Sequence, residues 1–458
     1  MLRDALCLAR AAFDDYVRGI LCRLFATTPS LQVKRWALSH LRIMHARPYV
    51  AQRTFQSFRL GQVLSSAAHI PYWRGVFNSH TEGVGFHQDP LGVLHALPLL
   101  RREVIQLESL QNFINPDLPE ARQLLLETSG TTGEPLLFYQ DANSLFYKSL
   151  GNPLWFSYLG FDPFPPPGQV LHIGAFKPWN KSLGQRFDVQ LIKEDPVRFR
   201  KFVSRHRPSV VYGKVSDLFL LAEVVQTYAP EISFQMLLAD AEPLFPQTKA
   251  WLERALGGTL YTKYASSEFG TIAVQCIAAE NFHVSTDRLF VEIVNESGMV
   301  VPEMTVGAIV ITALDNLVMP MIRFVTGDRG YLSFAKCECG FRNPQLAVLG
   351  REHEVLHVGH KRIYAHDIHA MIGTLVWGVR HWQVIVKGEK ILVQLVPDTK
   401  LDSTMLGRLQ MAISQGFAKK LGLASLASSI SIEVETRQSI ELQPSGKAKT
   451  FSIDRLTG

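Results

Sequence analysis

Up to about residue 120, apolar positions return every three to four residues with polar ones between them. That spacing predicts helices, broken by turn signals at His69-Ile70-Pro71-Tyr72 and Leu97-Pro98-Leu99. The first such stretch, Leu2 to Phe25, is interrupted by Arg3, Asp4, Arg10, Asp14, Asp15, Arg18 and Arg23, so it reads as an amphipathic helix, not a signal peptide or membrane span. The period then changes. Short apolar runs at Val170 to Ile173, Val210 to Tyr212, Gln235 to Leu238 and Thr259 to Tyr261 alternate with helical patterns at Ser216 to Tyr228 and Pro246 to Leu256. This alternation predicts an α/β sheet. Between Leu289 and Leu332 strands dominate, with Phe290 to Val294 and Ala308 to Thr312 separated by glycine-containing turns. After Gly350-Arg351 a smaller unit follows: a hairpin of Gln383 to Val386 and Ile391 to Val396, a helix over Ser403 to Leu421 and a strand at Ser429 to Val434. The expected fold is α/β: a large N-terminal lobe with a β subdomain (1–349), then a small mobile α+β lobe (350–458).

The chain's 458 residues suit one large and one small domain. Its 47 basic and 41 acidic residues are interspersed, with no Lys/Arg stripe carrying aromatics between the charges, which argues against a nucleic-acid partner. The mild excess of +6 suits an anionic substrate such as ATP. Five cysteines, unevenly placed, do not make a disulfide framework and indicate a reducing, cytoplasmic setting with no membrane partner. Cys7 and Cys22 fall in the first apolar stretch and read as packing residues.

The sharpest local pattern is Thr128-Ser129-Gly130-Thr131-Thr132-Gly133-Glu134-Pro135 after the apolar Leu124-Leu125-Leu126. Glycines and hydroxyls following a strand let backbone N–H groups and side chains surround phosphate oxygens. It differs from the lysine-containing P-loop, because no Lys follows the second glycine. Cys276, His283, Cys337 and Cys339 form a second constellation: three thiols and an imidazole, the donor set of a tetrahedral structural zinc site.

Ser129 to Pro135 resembles the phosphate-binding signature of the acyl-adenylate-forming superfamily of acyl-CoA synthetases, luciferases and peptide-synthetase adenylation domains. In family order, Ala239 to Leu244 is similar to the segment beside the adenine and Tyr264 to Gly270 to the aromatic element ending in Glu. Thr326-Gly327-Asp328 is similar to the ribose-binding element, Gly350-Arg351 to the hinge entry and Pro444 to Lys447 to the terminal loop with the catalytic lysine. The phenylacetate-CoA ligase branch is the nearest match. Its patterns are resembled by Pro71-Tyr72-Trp73-Arg74, Leu97 to Leu100, His283 to Asp287, Val291-Glu292-Ile293, Pro320 to Phe324 and Cys337 to Arg342. Some members of that branch carry a metal at the cysteine cluster.

The resemblance implies formation of an acyl-AMP from a small carboxylic acid of aromatic type and ATP, then transfer to coenzyme A. Ser129, Gly130, Thr131, Thr132 and Gly133 would hold the phosphates, and Ala241, Glu242, Pro243, Tyr264 and Ser267 would line the nucleotide. Glu268 would bind Mg²⁺, Asp328 would accept the ribose hydroxyls and Arg351 would donate nearby; Lys447 would bridge carboxylate and α-phosphate as a mobile charge. Tyr212, Gly213, Ala239 and Ala265 would form the acid pocket.

The chain departs from the branch at three places: His353-Glu354 replaces Asp-Asp after the hinge, Ala265 replaces a glycine, and Gly213-Lys214-Val215-Ser216 lacks the usual proline. The last two changes lie in the acid region, so the acid is not taken to be phenylacetate. A carrier-protein phosphopantetheine or an amine as acceptor, a silent homologue acting as an interaction protein, and a homodimer all remain open.

Overall fold

The computed structural model describes residues 30–454 except 82–84, 119–123, 129–134, 167, 175–185, 188–191, 193, 359, 422–430, 444–446 and 449. The expected helix at Leu2 to Phe25 lies outside the described residues. The architecture is mixed α/β. No described helix is long and apolar enough to cross a membrane. By compactness the chain divides into two units: residues up to Phe164 with Lys263–Val348, and Pro165–Thr262 with Leu349 onward.

In the first unit the predicted helices form as α1 (Leu31–Ala46), α2 (Tyr49–Ala67), α3 (Pro71–His80), α4 (Pro90–Ala96) and α5 (Arg102–Leu107). Pro71 and Pro90 stand at first helical positions, where a missing N–H costs nothing. A hairpin of β1 (Leu124–Glu127) and β2 (Leu137–Gln140) leads into α6 (Ala142–Ser149) and α7 (Gly151–Tyr158). The antiparallel sheet comprises β8 (Gly270–Cys276), β9 (Ala279–Val284), β10 (Leu289–Val294), β11 (Gly307–Ala313), β12 (Phe324–Ser333) and β13 (Gln345–Arg351). The second half of β7 (Thr259–Ser266) completes it by pairing with β8 through Lys263–Ser266. Trp73, Phe113, Phe138 and Phe269 are buried in the shared core.

Several motif stretches meet around Arg323. Its guanidinium donates to the Leu97 carbonyl at 2.7 Å and the Gly298 carbonyl at 2.6 Å and pairs with buried Glu292 at 3.3 Å. Leu100 N–H donates to the Arg323 carbonyl, and Val325 N–H to the Leu100 carbonyl, each at 2.9 Å. Trp73 Nε1 donates to the Pro320 carbonyl at 3.2 Å. These stretches act on the fold: they satisfy buried polar groups that would otherwise oppose folding.

In the second unit β3 (Val170–Ile173), β4 (Arg186–Phe187), β5 (Val210–Lys214), β6 (Met236–Asp240) and the first half of β7 run parallel in the order β7-β6-β5-β3-β4. Their continuous apolar character fits a sheet covered by helices, here α8 (Pro196–His206), α9 (Val215–Tyr228) and α10 (Pro246–Leu256). The C-terminal part has a hairpin of β14 (Val355–Val358) and β15 (Lys361–Tyr364), then α11 (Ala365–Leu375) and α12 (Ser403–Leu421). These accompany a sheet ordered β18-β17-β16-β19, from β16 (Val379–Lys387), β17 (Lys390–Pro397), β18 (Ser431–Thr436) and β19 (Phe451–Asp454).

Within this unit the C-terminal part seats on α10. Phe245 stacks on Trp382 with centroids 4.2 Å apart, Thr248 Oγ1 donates to the Arg380 carbonyl at 2.7 Å, and Arg380 pairs with Glu223 at 3.1 Å. Two histidines are enclosed in this seat. Burial pushes His381 down to about 3 and His369 down to about 4, and Trp382 Nε1 donates to His369 Nδ1 at 3.1 Å. Both stay neutral in the native state while the unfolded chain protonates them below about 6.5. The unfolded state then holds more protons, so stability falls as pH drops from 6.5 toward 4 and is complete above 6.5. Replacing His369 with Gln keeps an acceptor for Trp382 without a titrating ring. His369→Gln is expected to remove on the order of 3 kcal/mol of this acid-side loss, measured by urea unfolding at pH 7 and pH 4.

Candidate active site

In the first unit, Thr128 and Leu136 clasp the ends of the glycine-rich segment: Thr128 N–H donates to the Leu136 carbonyl at 3.0 Å, and Leu136 N–H to Thr128 Oγ1 at 2.9 Å. Arg102 Nη2 also donates to Thr128 Oγ1, at 3.2 Å. Ser129, Gly130, Thr131, Thr132 and Gly133 lie outside the described residues. Tyr264 on β7 and Asp328 on β12 meet, the phenol donating to Asp328 Oδ2 at 2.5 Å. Ala265 follows on the same strand, and the turn after it presents exposed Ser267 and half-buried Glu268.

Side chains hold the backbone of that turn. The Glu268 carbonyl accepts from Gln140 Nε2 at 2.8 Å and Lys148 Nζ at 2.5 Å, and the Phe269 carbonyl from Arg288 Nη2 at 2.8 Å. Arg288 is itself paired with buried Asp315 at 2.8 Å. The Glu268 carboxylate accepts no hydrogen bond among the described residues, so its oxygens are available to a cation. Burial pulls Lys148 down to about 7.

In the second unit, functional candidates gather at the carboxyl ends of parallel strands, where open α/β sheets bind ligands. Tyr212 and Gly213 lie near the end of β5, Gly213 beside buried Ala239 on β6, and the Tyr212 phenol donates to Asp240. The chain then turns at Ala241, whose φ of +67° is an uncommon conformation for a residue with a side chain. The turn aims Glu242 inward and leaves Pro243 exposed. The Glu242 carboxylate accepts from Ser216 N–H at 2.6 Å, Ser216 Oγ at 2.8 Å and Ala448 N–H at 2.7 Å. It thus grips the residue next to Lys447. Burial raises Glu242 above the ordinary carboxylate range and pulls Lys447 below the ordinary lysine range; Glu242 and Asp240 resist the shift at Lys447, and Arg351 and Lys214 add to it. Asp217 lies against Gly174, where a Cβ would come within 2.4 Å of its Oδ2, and burial pushes its carboxyl up to about 6.

The Cys/His set also assembles. The donor atoms of Cys276, His283, Cys337 and Cys339 all lie within 4.8 Å of one another. Cys276 and Cys337 sulfurs are 3.6 Å apart, and Cys339 Sγ is 3.3 Å from His283 Nε2. Tetrahedral zinc–sulfur bonds of 2.3 Å separate neighbouring sulfurs by about 3.8 Å, so the spacing fits. His283 Nδ1 faces the Asn343 carbonyl at 3.4 Å, a contact that orients the ring. A hydrogen bond to Cys339 draws the Cys276 thiol well below its ordinary range, against burial and with help from His283.

No protein-family model matches the chain. Phenylacetate-coenzyme A ligase of Thermus thermophilus is 25% identical over 239 residues, 50% of this chain and 51% of that protein. The chain thus spans about half the length of the curated relative it matches. The crystal structure of 2-hydroxyisobutyryl-CoA ligase in the postadenylation state, with 2-HIB-AMP, superposes with a TM-score of 0.71 at 18% identity, covering 90% of this chain and 91% of that one. An anthranilate CoA ligase in complex with anthranoyl-AMP gives 0.51 at 12% identity over 71% and 66%. The chain has the fold of the adenylate-forming CoA ligases.

Within this fold, sequence reading did not find Gln140, Lys148 or Arg288, which fix the Glu268 turn, or Asp217. Gln140, Lys148 and Arg288 each act on a residue distant in sequence, whereas Asp217 accepts from Lys214 N–H three residues before it, capping α9. The triple grip on Glu242 predicts that Glu242→Ala, which orphans two N–H groups and a hydroxyl, costs about 2 kcal/mol in urea unfolding.

Proposed function

We propose that this chain activates a small carboxylic acid, aromatic by preference, with ATP, releasing pyrophosphate, and passes the acyl group from the acyl-AMP to coenzyme A. The observation that carries the reading is the seating of Lys447 beside Asp240, Glu242 and Arg351 at the carboxyl ends of the parallel strands. A carboxylate approaching an α-phosphate meets like charge, and a lysine held among carboxylates but partly desolvated is suited to bridge both anions as charge develops. Asp328, oriented by Tyr264, takes the ribose hydroxyls, and Arg351 donates to the nucleotide; Ser129, Gly130, Thr131, Thr132 and Gly133 take the phosphates. Ala241, Glu242, Pro243, Tyr264 and Ser267 line the nucleotide, and Tyr212, Gly213, Ala239 and Ala265 receive the acid.

The free carboxylate of Glu268, on a turn with fixed carbonyls, suits Mg²⁺, which binds through one or two carboxylates plus phosphate oxygens. Bound there, Mg²⁺ neutralises phosphate charge. Glu268 supplies the ligand, and the turn sets its direction.

The test is ATP–pyrophosphate exchange over aryl, heteroaryl and aliphatic acids, repeated with CoA, a holo carrier protein and amines to identify the acceptor. Lys447→Ala is expected to lower exchange at least 100-fold in kcat with the fold intact. Wild-type exchange by the variant would remove the lysine from the mechanism, and absence of ATP binding by the unmodified chain would leave an interaction protein.

Cys276, His283, Cys337 and Cys339 are assigned one structural zinc. Elemental analysis of protein purified without added metal should give one zinc per chain. Cys337→Ser should lose it and melt about 10 °C lower. A metal-free native protein with an unaffected variant would return the four residues to packing.

A further inference from the structure

The Glu268 turn is held by a lysine that the reaction as read above does not use. Lys148 stands in the last turn of α6, and its Nζ reaches the carbonyls of both Ser267, at 3.2 Å, and Glu268, at 2.5 Å. The approach depends on two glycines. Gly270, at φ +66°, lies under the lysine stem, where an added Cβ would sit 3.0 Å from Lys148 Cγ. Gly151, opening α7, faces Thr271, whose Oγ1 would be 2.4 Å from a Cβ there. Helices α6 and α7 can therefore lie close against the β7–β8 turn.

Burying an ammonium is unfavourable, as the depressed Lys148 titration shows, and an apolar side chain would fill the space at less cost. What a lysine adds is a donor on a long stem, reaching carbonyls that no strand partner satisfies. Gln140, from the strand that follows the glycine-rich segment, donates to the same Glu268 carbonyl. Gln140 Oε1 and Ser144 Oγ are buried without partners beside a cavity with room for about one water, which Glu268 also lines.

We propose that Lys148 is a positioning residue for Glu268: its bonds to the Ser267 and Glu268 carbonyls fix the turn from which the Glu268 carboxylate faces the metal. Through Gln140 and α6 the same latch ties that turn to the strand emerging from the phosphate segment. The proposal rests on the adenylation reading, and its test separates the two.

The test compares the full chain with Lys148→Met and Lys148→Arg. In hydrogen exchange of ligand-free protein, Lys148→Met should speed exchange at residues 266–271 at least tenfold and leave the C-terminal sheet unchanged, while Lys148→Arg retains most of the protection. In pyrophosphate exchange, Lys148→Met should raise the half-saturating Mg²⁺ concentration about tenfold with the acid KM unchanged. Conversion of chemically prepared acyl-AMP with CoA, which consumes no MgATP, should proceed at the wild-type rate. Unchanged turn protection and Mg²⁺ dependence would overturn the proposal, as would equal losses in both half-reactions, the mark of a purely structural role. Should Lys148→Met not fold, Lys148→Gln carries the same readouts. No exchange by the wild type with any acid would defeat the adenylation reading, whereas hydrogen exchange would still decide whether the latch exists.

Discussion

Backbone carbonyls of a partly buried turn must find donors, and in the first unit this requirement organises everything around Glu268. The β7–β8 turn leaves the Ser267, Glu268 and Phe269 carbonyls to side chains, which arrive from β2, α6 and the segment before β10 as Gln140, Lys148 and Arg288. Each has its own reason to be there. Arg288 is neutralised by Asp315, Lys148 crosses Gly270, and Gln140 lies on the strand leaving the glycine-rich segment. An unpaired buried carbonyl costs about 1–3 kcal/mol, so the buried Phe269 bond, with the part-buried bonds to Glu268 before it, defines the turn more firmly than a hairpin sequence alone would.

The same accounting explains why some of the fold was legible in sequence. Val170 to Ile173, Pro246 to Leu256 and Ser403 to Leu421 form the expected elements because each is a long periodic or continuous apolar segment with a clear stop signal. Gly270–Cys276 and Ala279–Val284 are strands without such a pattern. Their alternation is blurred because cysteine and histidine donors replace the apolar residues that would mark the inner face. Candidate chemistry was legible where residue types are contiguous, as in Tyr264 to Glu268. It was illegible for Lys148, whose partners lie 119 and 120 residues away. For Glu242, sequence points to the nucleotide, and the structure adds a grip on Ser216 and Ala448 that no local motif encodes.

Charge balance differs between the two sets of candidates. Around Arg323 and Arg288, buried cations meet buried carboxylates, Glu292 and Asp315, and also reach carbonyls, so removing either partner would strand a charge. Around Lys447 the pattern differs: Glu242 is bound to neutral donors, Asp240 takes the Tyr212 phenol, Lys214 pairs with Asp217 at 3.7 Å, and Lys447 feels the Glu242 and Asp240 carboxylates through the field. A cation held this way remains free to meet an incoming anion, whereas one locked in a pair would have to break it first.

The Cys/His centre follows the logic of the core, not of the strand ends. Its four candidate donors come from β8, β9 and the segment before β13, and a tetrahedral ion held by all four would have no coordination position left for water or substrate. The surroundings extend the anchoring. Tyr158 stacks on Phe341 at 3.7 Å and hydrogen-bonds to buried His45 at 2.8 Å, while His45 reaches Asp287 at 2.9 Å and its carbonyl accepts from Arg342 N–H at 2.8 Å. Helix α1 is thus tied through one enclosed imidazole to the segment that carries the cysteines. An apolar contact there would tolerate sliding of the helix, but paired ring nitrogens accept one register, so the polar network supplies specificity of placement where hydrophobic burial supplies only adhesion.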